Sequence, residues 1–236
     1  MIFRFADVDF EIDFRDEKVA SRLRAYRVES EKPDVKIRVS DEDFEKMFNT
    51  YGMQHPLYTE FLALSETISN VLLKQYDGFL FHSSAIAYKG QGILFSAVSG
   101  TGKSTHAKFW KKAFGDDVVY VNDDKPFIRE IGGEFFVYGN PWDGKERLSS
   151  NIKVPIKAIC FIERGEKTEI KPISVPSAVV SFYNQSFSVV EEDMQDKFLS
   201  LIDKLLKTVK IVRLSLPLDE RSPYVVLEGL DGVICK

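Results

Sequence analysis

Three stretches carry side chains suited to work on a phosphate: Ser99-Gly100-Thr101-Gly102-Lys103-Ser104-Thr105, the acidic pair Asp123-Asp124, and His82. In the first, glycines at 100 and 102 free the backbone so that its N–H groups can converge on an anion. Lys103 brings a mobile positive charge for β- and γ-phosphates, and the Ser104 hydroxyl can ligate magnesium. A phosphate loop needs the order strand, small-residue loop, Gly-Lys-Ser, helix. Ile93, Leu94 and Phe95 form the apolar run before this loop, and Thr105 to Phe114 has helical spacing after it. A helix starting there adds its unpaired N-terminal donors to the anion site. The general pattern has glycine six residues before the lysine, where this chain has Ala97. A glycine-rich turn that binds nothing is the plainer alternative.

Asp123 and Asp124 follow an apolar run about twenty residues after Lys103. An acid at such a strand end commonly organises magnesium in phosphate-loop proteins, and two acids permit one at the metal and one at the attacking hydroxyl. Asn-Asp-Asp is equally good turn composition. His82, after Phe79-Leu80-Phe81, reads by itself as a core histidine as readily as a catalyst. The loop Pro141 to Arg147 offers Glu146 for a metal, Lys145 and Arg147 for phosphate charge, and Trp142 as an aromatic plate; an ordinary exposed turn would look the same. His106 and His55 look like helix decoration and a helix start.

The elements that must position these groups are partly legible. Ile2–Phe5 and Val8–Phe14 alternate apolar and polar residues around Ala6-Asp7, which predicts a hairpin, and Val35–Val39 alternates again. Ser40 caps a predicted helix through Phe48, and Leu57, Phe61, Leu64, Ile68 and Leu72 put one apolar face on a helix over 56–76. Strands are expected at 79–88, 93–96, 116–121 and 154–162, with a hairpin over 127–138. Helices at 176–185 and 191–208, a strand at 209–214 and a helix near 222–230 complete the expectation. Residues 1–76 read as a small α+β portion without chemistry of its own, a cap or substrate-binding part, and 77–236 as the phosphate-loop domain.

The chain has 236 residues, 44% hydrophobic and 29% charged, with a formal net charge of −4. That balance argues against nucleic acid as the main partner. No apolar run approaches the roughly 20 residues of a membrane span, and the first residues lack the pattern of a signal peptide. Cys160 and Cys235 make no disulfide framework. A cytoplasmic protein is the expectation; self-association is left open.

Taken together, His82, Gly90, Gly92, Ser99-Gly100-Thr101-Gly102-Lys103-Ser104 and Asn122-Asp123-Asp124 resemble the kinase domain of HPr kinase/phosphorylase over roughly residues 78–165. The resemblance implies an α/β, phosphoenolpyruvate-carboxykinase-like phosphate-loop fold with a mixed sheet. It also implies ATP and Mg2+ as cofactors, with residues 99–105 on the nucleotide and Ser104 and Asp124 at the metal, where Glu146 is a further candidate from its own loop. Asp123 is implied as proton acceptor, assisted by His82, with Lys103 on the phosphates. Ala97 and Asn122 replace the family's usual glycine and alanine. The second signature, Glu-x-Arg-Gly-Leu-Gly, is absent, and Gly139 to Glu146 occupies about its place. The pattern is similar to HPr-kinase-like proteins found beside peptide-modification systems, some of which phosphorylate precursor peptides. The implied activity is phosphoryl transfer to a hydroxyl, on a serine of a peptide or protein. The alternatives are a small hydroxyl compound such as free serine or a sugar, or a nucleotide-binding regulator without catalysis.

Overall fold

The computed structural model describes residues 1–51, 55–186, 192–217 and 219–232. The chain opens with β1 (Ile2–Phe5) and β2 (Val8–Ile12), an antiparallel hairpin. Ala6 and Asp7 both have positive φ (50° and 59°), the conformation of the two-residue turns that match strand twist. A short helix α1 (Ala20–Leu23) and β3 (Val35–Ile37) follow, and β3 runs parallel to β2. Helix α2 (Asp41–Tyr51) begins where the Ser40 hydroxyl accepts from the Asp43 N–H at 3.0 Å and donates to its carboxylate at 2.7 Å. Helix α3 (Pro56–Gln75) has His55 at its N-cap position and Pro56 in its first turn, as the sequence suggests.

The remaining strands build a second, mixed sheet: β4 (Gly78–Leu80), β5 (Ser84–Tyr88), β6 (Gln91–Ser96), β7 (Val118–Asn122), β8 (Phe127–Ile131), β9 (Glu134–Tyr138), β10 (Lys153–Arg164), β11 (Glu169–Pro172) and β12 (Lys210–Leu216). Among the described residues their order is β4-β8-β9-β10-β6-β5-β7, with β12 on the other side of β10 and β11 beside it. The long strand β10 joins two arms. Its first residues pair antiparallel with β9, and the rest pair parallel with β6 and β12. Helices α4 (Lys103–Phe114), α5 (Val175–Gln185), α6 (Glu192–Thr208) and α7 (Ser222–Gly232) cover the sheet. The chain is therefore mixed α/β.

Two expectations change here. The run 79–88 is not one strand: β4 pairs with β8 in one arm and β5 with β6 and β7 in the other, and residues 81–83 cross between them. The Phe81 N–H donates to Pro126 O, that of His82 to Gln185 O and that of Ser83 to Asp124 O, so the crossing stays hydrogen-bonded. Trp142 is not an exposed plate. It is 2% exposed and its ring lies 5.2 Å from Phe5, 5.5 Å from Phe61 and 5.9 Å from Phe127. This indole joins the N-terminal hairpin and α3 to the second sheet in one apolar cluster. Strand β11, which sequence reasoning missed, pairs antiparallel with β12. Cys160 is fully buried, and that burial pushes its thiol up to about 12, as for an inert core cysteine. Cys235 and the expected start of the helix at 191 lie outside the described residues.

Candidate phosphate and acid site

Strand directions bring the three sequence stretches together. Strands β6 and β7 are both antiparallel to β5, so they run the same way and end at the same edge, where β5 begins. Ser84 lies opposite Phe95 and Ala85 opposite Asn122. His82, the loop after Ser96, and Asp123-Asp124 therefore emerge side by side. Ser96 Oγ donates to the His82 carbonyl at 2.8 Å, which ties two of them directly.

The loop after β6 turns through Gly100 (φ 80°) and Gly102 (φ 118°), backbone that only glycine adopts without strain. Gly102 is the N-cap of α4 and no side chain caps that helix, so its first N–H groups face outward from the loop. Lys103 is buried, and its ammonium donates to the carbonyl of Ala97 at 2.9 Å across the loop. Burial lowers its pKa, opposed by the nearby charge of Asp124. A phosphate placed at the loop would compensate the same desolvation. Ser99, Gly100 and Thr105 are exposed, while Thr101, Gly102 and Ser104 are half-buried.

The two aspartates differ sharply. Burial raises the pKa of Asp123, although its Oδ1 accepts the Gly144 N–H at 2.6 Å. Burial also acts to raise that of Asp124, but the hydrogen bond from His82 and the charge of Lys125 outweigh it and hold the group at about 2. His82 Nε2 is 3.1 Å from Asp124 Oδ1, and Lys125 Nζ is 2.6 Å from Oδ2. The imidazole thus meets Asp124 and not the aspartate it was expected to assist.

Asn122 organises this turn and was overlooked as a mere departure from alanine. It is wholly buried. Its Oδ1 accepts the N–H groups of Asp124 (2.8 Å) and Lys125 (2.7 Å), and its amide donates to Asn140 Oδ1 (2.9 Å) and Asn140 O (3.1 Å). Asn140 in turn donates to the Lys125 carbonyl and accepts the Trp142 N–H. The acid turn and the 139–144 loop are one hydrogen-bonded unit. Two glycines permit the close approach: a Cβ on Gly139 would fall 1.7 Å from Ser150 O, and one on Gly144 2.8 Å from Asp123 Oδ2. Local sequence marks only the turn that Asn122 closes onto residues 124 and 125; its contacts with Asn140, and those of Gly139 and Gly144, are to residues eleven to twenty-one positions away.

A cleft of about 660 Å³ opens at this edge, lined by Ser104, Asp123, Asp124, Lys145, Glu146 and Arg147 among others. Arg22, Tyr58 and Phe61 close its far wall, so the first 76 residues do contribute to the site. Glu146 pairs with Lys108 on α4 on the cleft wall. His106 lies apart from the cleft chemistry: it is buried, its Nε2 accepts from Trp110 at 3.0 Å, and burial pushes its pKa down to about 3. Among the described residues no three His, Cys, Asp or Glu side chains form a metal-holding group by themselves. A hydroxyl and carboxylates offer a hard cation oxygen donors, a set suited to magnesium when phosphates supply the remaining ligands. No helix of the described residues is long and apolar enough to cross a membrane.

The fold is similar to the structure of the Hpr(Ser) kinase/phosphatase from Coxiella burnetii, at 11% identity over 65% of this chain and 99% of that one. With a TM-score of 0.33 the likeness is too distant to carry a function. No curated protein matches the chain. Residues 54–218 match the family model described as SynChlorMet cassette protein ScmC, and the chain belongs to that family.

Proposed function

We propose that the protein is an ATP- and magnesium-dependent phosphotransferase of the HPr-kinase-like, phosphoenolpyruvate-carboxykinase-like type, acting on a hydroxyl group. The observation that carries the reading is the convergence of Ser104, Asp123 and Asp124 on one cleft, beside the buried Lys103 of a loop with two positive-φ glycines. In this reading the backbone of residues 99–105 and the Lys103 ammonium bind the β- and γ-phosphates. Ser104 and Asp124 hold the magnesium ion, which neutralises phosphate charge when bound. Glu146 stands on the same wall as a further oxygen donor once released from Lys108.

The opposite shifts of the aspartates support the division of labour. A general base works best with its pKa raised toward neutrality, and Asp123 is the one whose pKa burial raises on balance. Asp124 stays ionised, as a metal ligand must. The acceptor oxygen forms its bond to the γ-phosphorus, the bond from that phosphorus to the β,γ-bridging oxygen breaks, ADP leaves, and the hydroxyl proton passes to Asp123. His82 orients Asp124 through its hydrogen bond.

The test is a titration of wild type and Lys103→Ala with Mg-ATP, followed by thermal unfolding of both. The expected result is binding by wild type, at least ~10-fold weaker binding by the variant, and an unchanged fold, because among the described residues the ammonium's bond is to the Ala97 carbonyl alone and its charge-assisted bonds form with the ligand. Equal affinities would end the phosphate-loop assignment. Binding without phosphate transfer to any hydroxyl would leave a nucleotide-binding regulator.

A further inference from the structure

A second hollow, of about 460 Å³, lies beside the first, and the two share Arg22, Phe61, Pro141, Asp143 and Arg147 as a common wall. Its outer side is formed by residues 21–26 of the N-terminal portion and by Ser149 and Asn151. Three guanidinium groups, those of Arg22, Arg24 and Arg147, line it against one carboxylate, that of Asp143. Asp143 is engaged, accepting from Ser149 Oγ at 2.7 Å. Among the described residues the three arginines form no ion pair, in a chain whose net charge is −4. Arg22 is set in place over the rings of Tyr58 (5.6 Å) and Phe61 (5.1 Å), on the wall between the hollows.

Resting on the phosphotransferase reading, we propose that the acceptor is an extended acidic peptide. Its hydroxyl residue enters the first hollow at Asp123, and carboxylates of neighbouring residues are held by Arg22, Arg24 and Arg147 in the second. Arginine's planar fork matches a carboxylate in two bonds, so unpaired guanidinium groups on a cleft wall select that group. The layout decides against a small hydroxy acid. Arg24 lines only the outer hollow, while Ser104 and Asp123 line only the inner one. It also decides against nucleic acid, whose phosphates would meet Asp123, Asp124 and Glu146 along the inner hollow.

The experiment titrates the full chain with two fluorescein-labelled decapeptides, each with one central serine, flanked in one by glutamates and in the other by glutamines. Each is run with and without Mg-ATP analogue, on wild type, Arg24→Ala and Arg24→Lys. The expected result is at least ~10-fold tighter binding of the glutamate peptide, a preference that weakens about tenfold in Arg24→Ala and is partly kept in Arg24→Lys. Mg-ATP affinity stays unchanged in both variants, since Arg24 does not line the inner hollow. Equal affinity for the two peptides overturns the proposal, as does failure of the glutamate peptide to bind. Stronger displacement by free L-serine or by a single-stranded RNA also overturns it. Loss of Mg-ATP binding with the peptide preference intact would remove the phosphotransferase reading and leave the acidic-peptide cleft.

Discussion

Residues 98–102 and residues 122–125 leave the same edge of the sheet and are held in opposite ways. The first loop touches little: Val98 is 73% exposed, the Thr101 hydroxyl and N–H donate to the Val98 carbonyl, Arg164 donates to the Gly100 carbonyl, and the His106 N–H of α4 donates to the Gly102 carbonyl. The second is anchored by a wholly buried asparagine with partners on both sides. The tasks proposed for them would account for the difference. A loop that receives an anion must keep most of its N–H groups unspent, and here, among the described residues, Thr101 is the one residue of the loop whose N–H is bonded within it. A turn that aims carboxylates at a reacting atom must be fixed within fractions of an ångström, and buried amide bonds do that.

The largest effect that would sharpen this contrast belongs to Asp123→Asn. The amide oxygen still accepts from Gly144, but it takes up no proton, so turnover should fall at least ~10²-fold with Mg-ATP affinity kept. Thermal stability at neutral pH should hold or rise. The raised pKa of Asp123 means its ionisation costs stability as pH rises from its unfolded value through the folded one, and asparagine removes that cost. A neutral effect on turnover would end the general-base role.

Next comes Asn122→Ala, which leaves the N–H groups of Asp124 and Lys125 without their acceptor and removes one of the bonds that Asn140 Oδ1 accepts. Denaturant unfolding should show a loss of roughly 2–4 kcal/mol. A loss below about 1 kcal/mol would mean the staple is not what holds the acid turn.

Asp124→Asn should act in acid. With its folded pKa lowered to about 2, Asp124 contributes stability that is present above the unfolded carboxylate value near 3.8 and disappears as pH falls through 2. The variant should lose on the order of 1–2 kcal/mol at neutral pH and show a flatter stability profile between those values. Parallel profiles for the two proteins would remove the His82 and Lys125 contacts as the cause.

The smallest effect is expected for Val98→Ser, within about 0.5 kcal/mol by the same unfolding measurement, because the side chain is mostly in solvent. A cost as large as that of Asn122→Ala would erase the distinction between the loops.

Much of this was legible in local pattern. The positive-φ hairpin at Ala6-Asp7, the Ser40 cap, the start of α3 at Pro56, and the strand–loop–helix around Lys103 each depend on neighbours a few residues away, and each was readable as such. Type and spacing alone also singled out Lys103, Ser104, Asp123 and Asp124 as candidates, and the family resemblance added His82. Tertiary structure decided what those groups face. The break at 81–83 arises because β4 and β5 find partners in different arms, which no periodicity encodes. Trp142 looks exposed in a polar loop, yet three distant rings bury it. Asn122, Gly139 and Gly144 gain their roles from chain that returns eleven to twenty-one residues later or earlier. The aspartates are identical in sequence terms, and only their surroundings, burial for Asp123 and the contacts with His82 and Lys125 for Asp124, drive their pKa values apart. Electrostatic environment depends on distance in space, and it is the fold that converts separation along the chain into that distance.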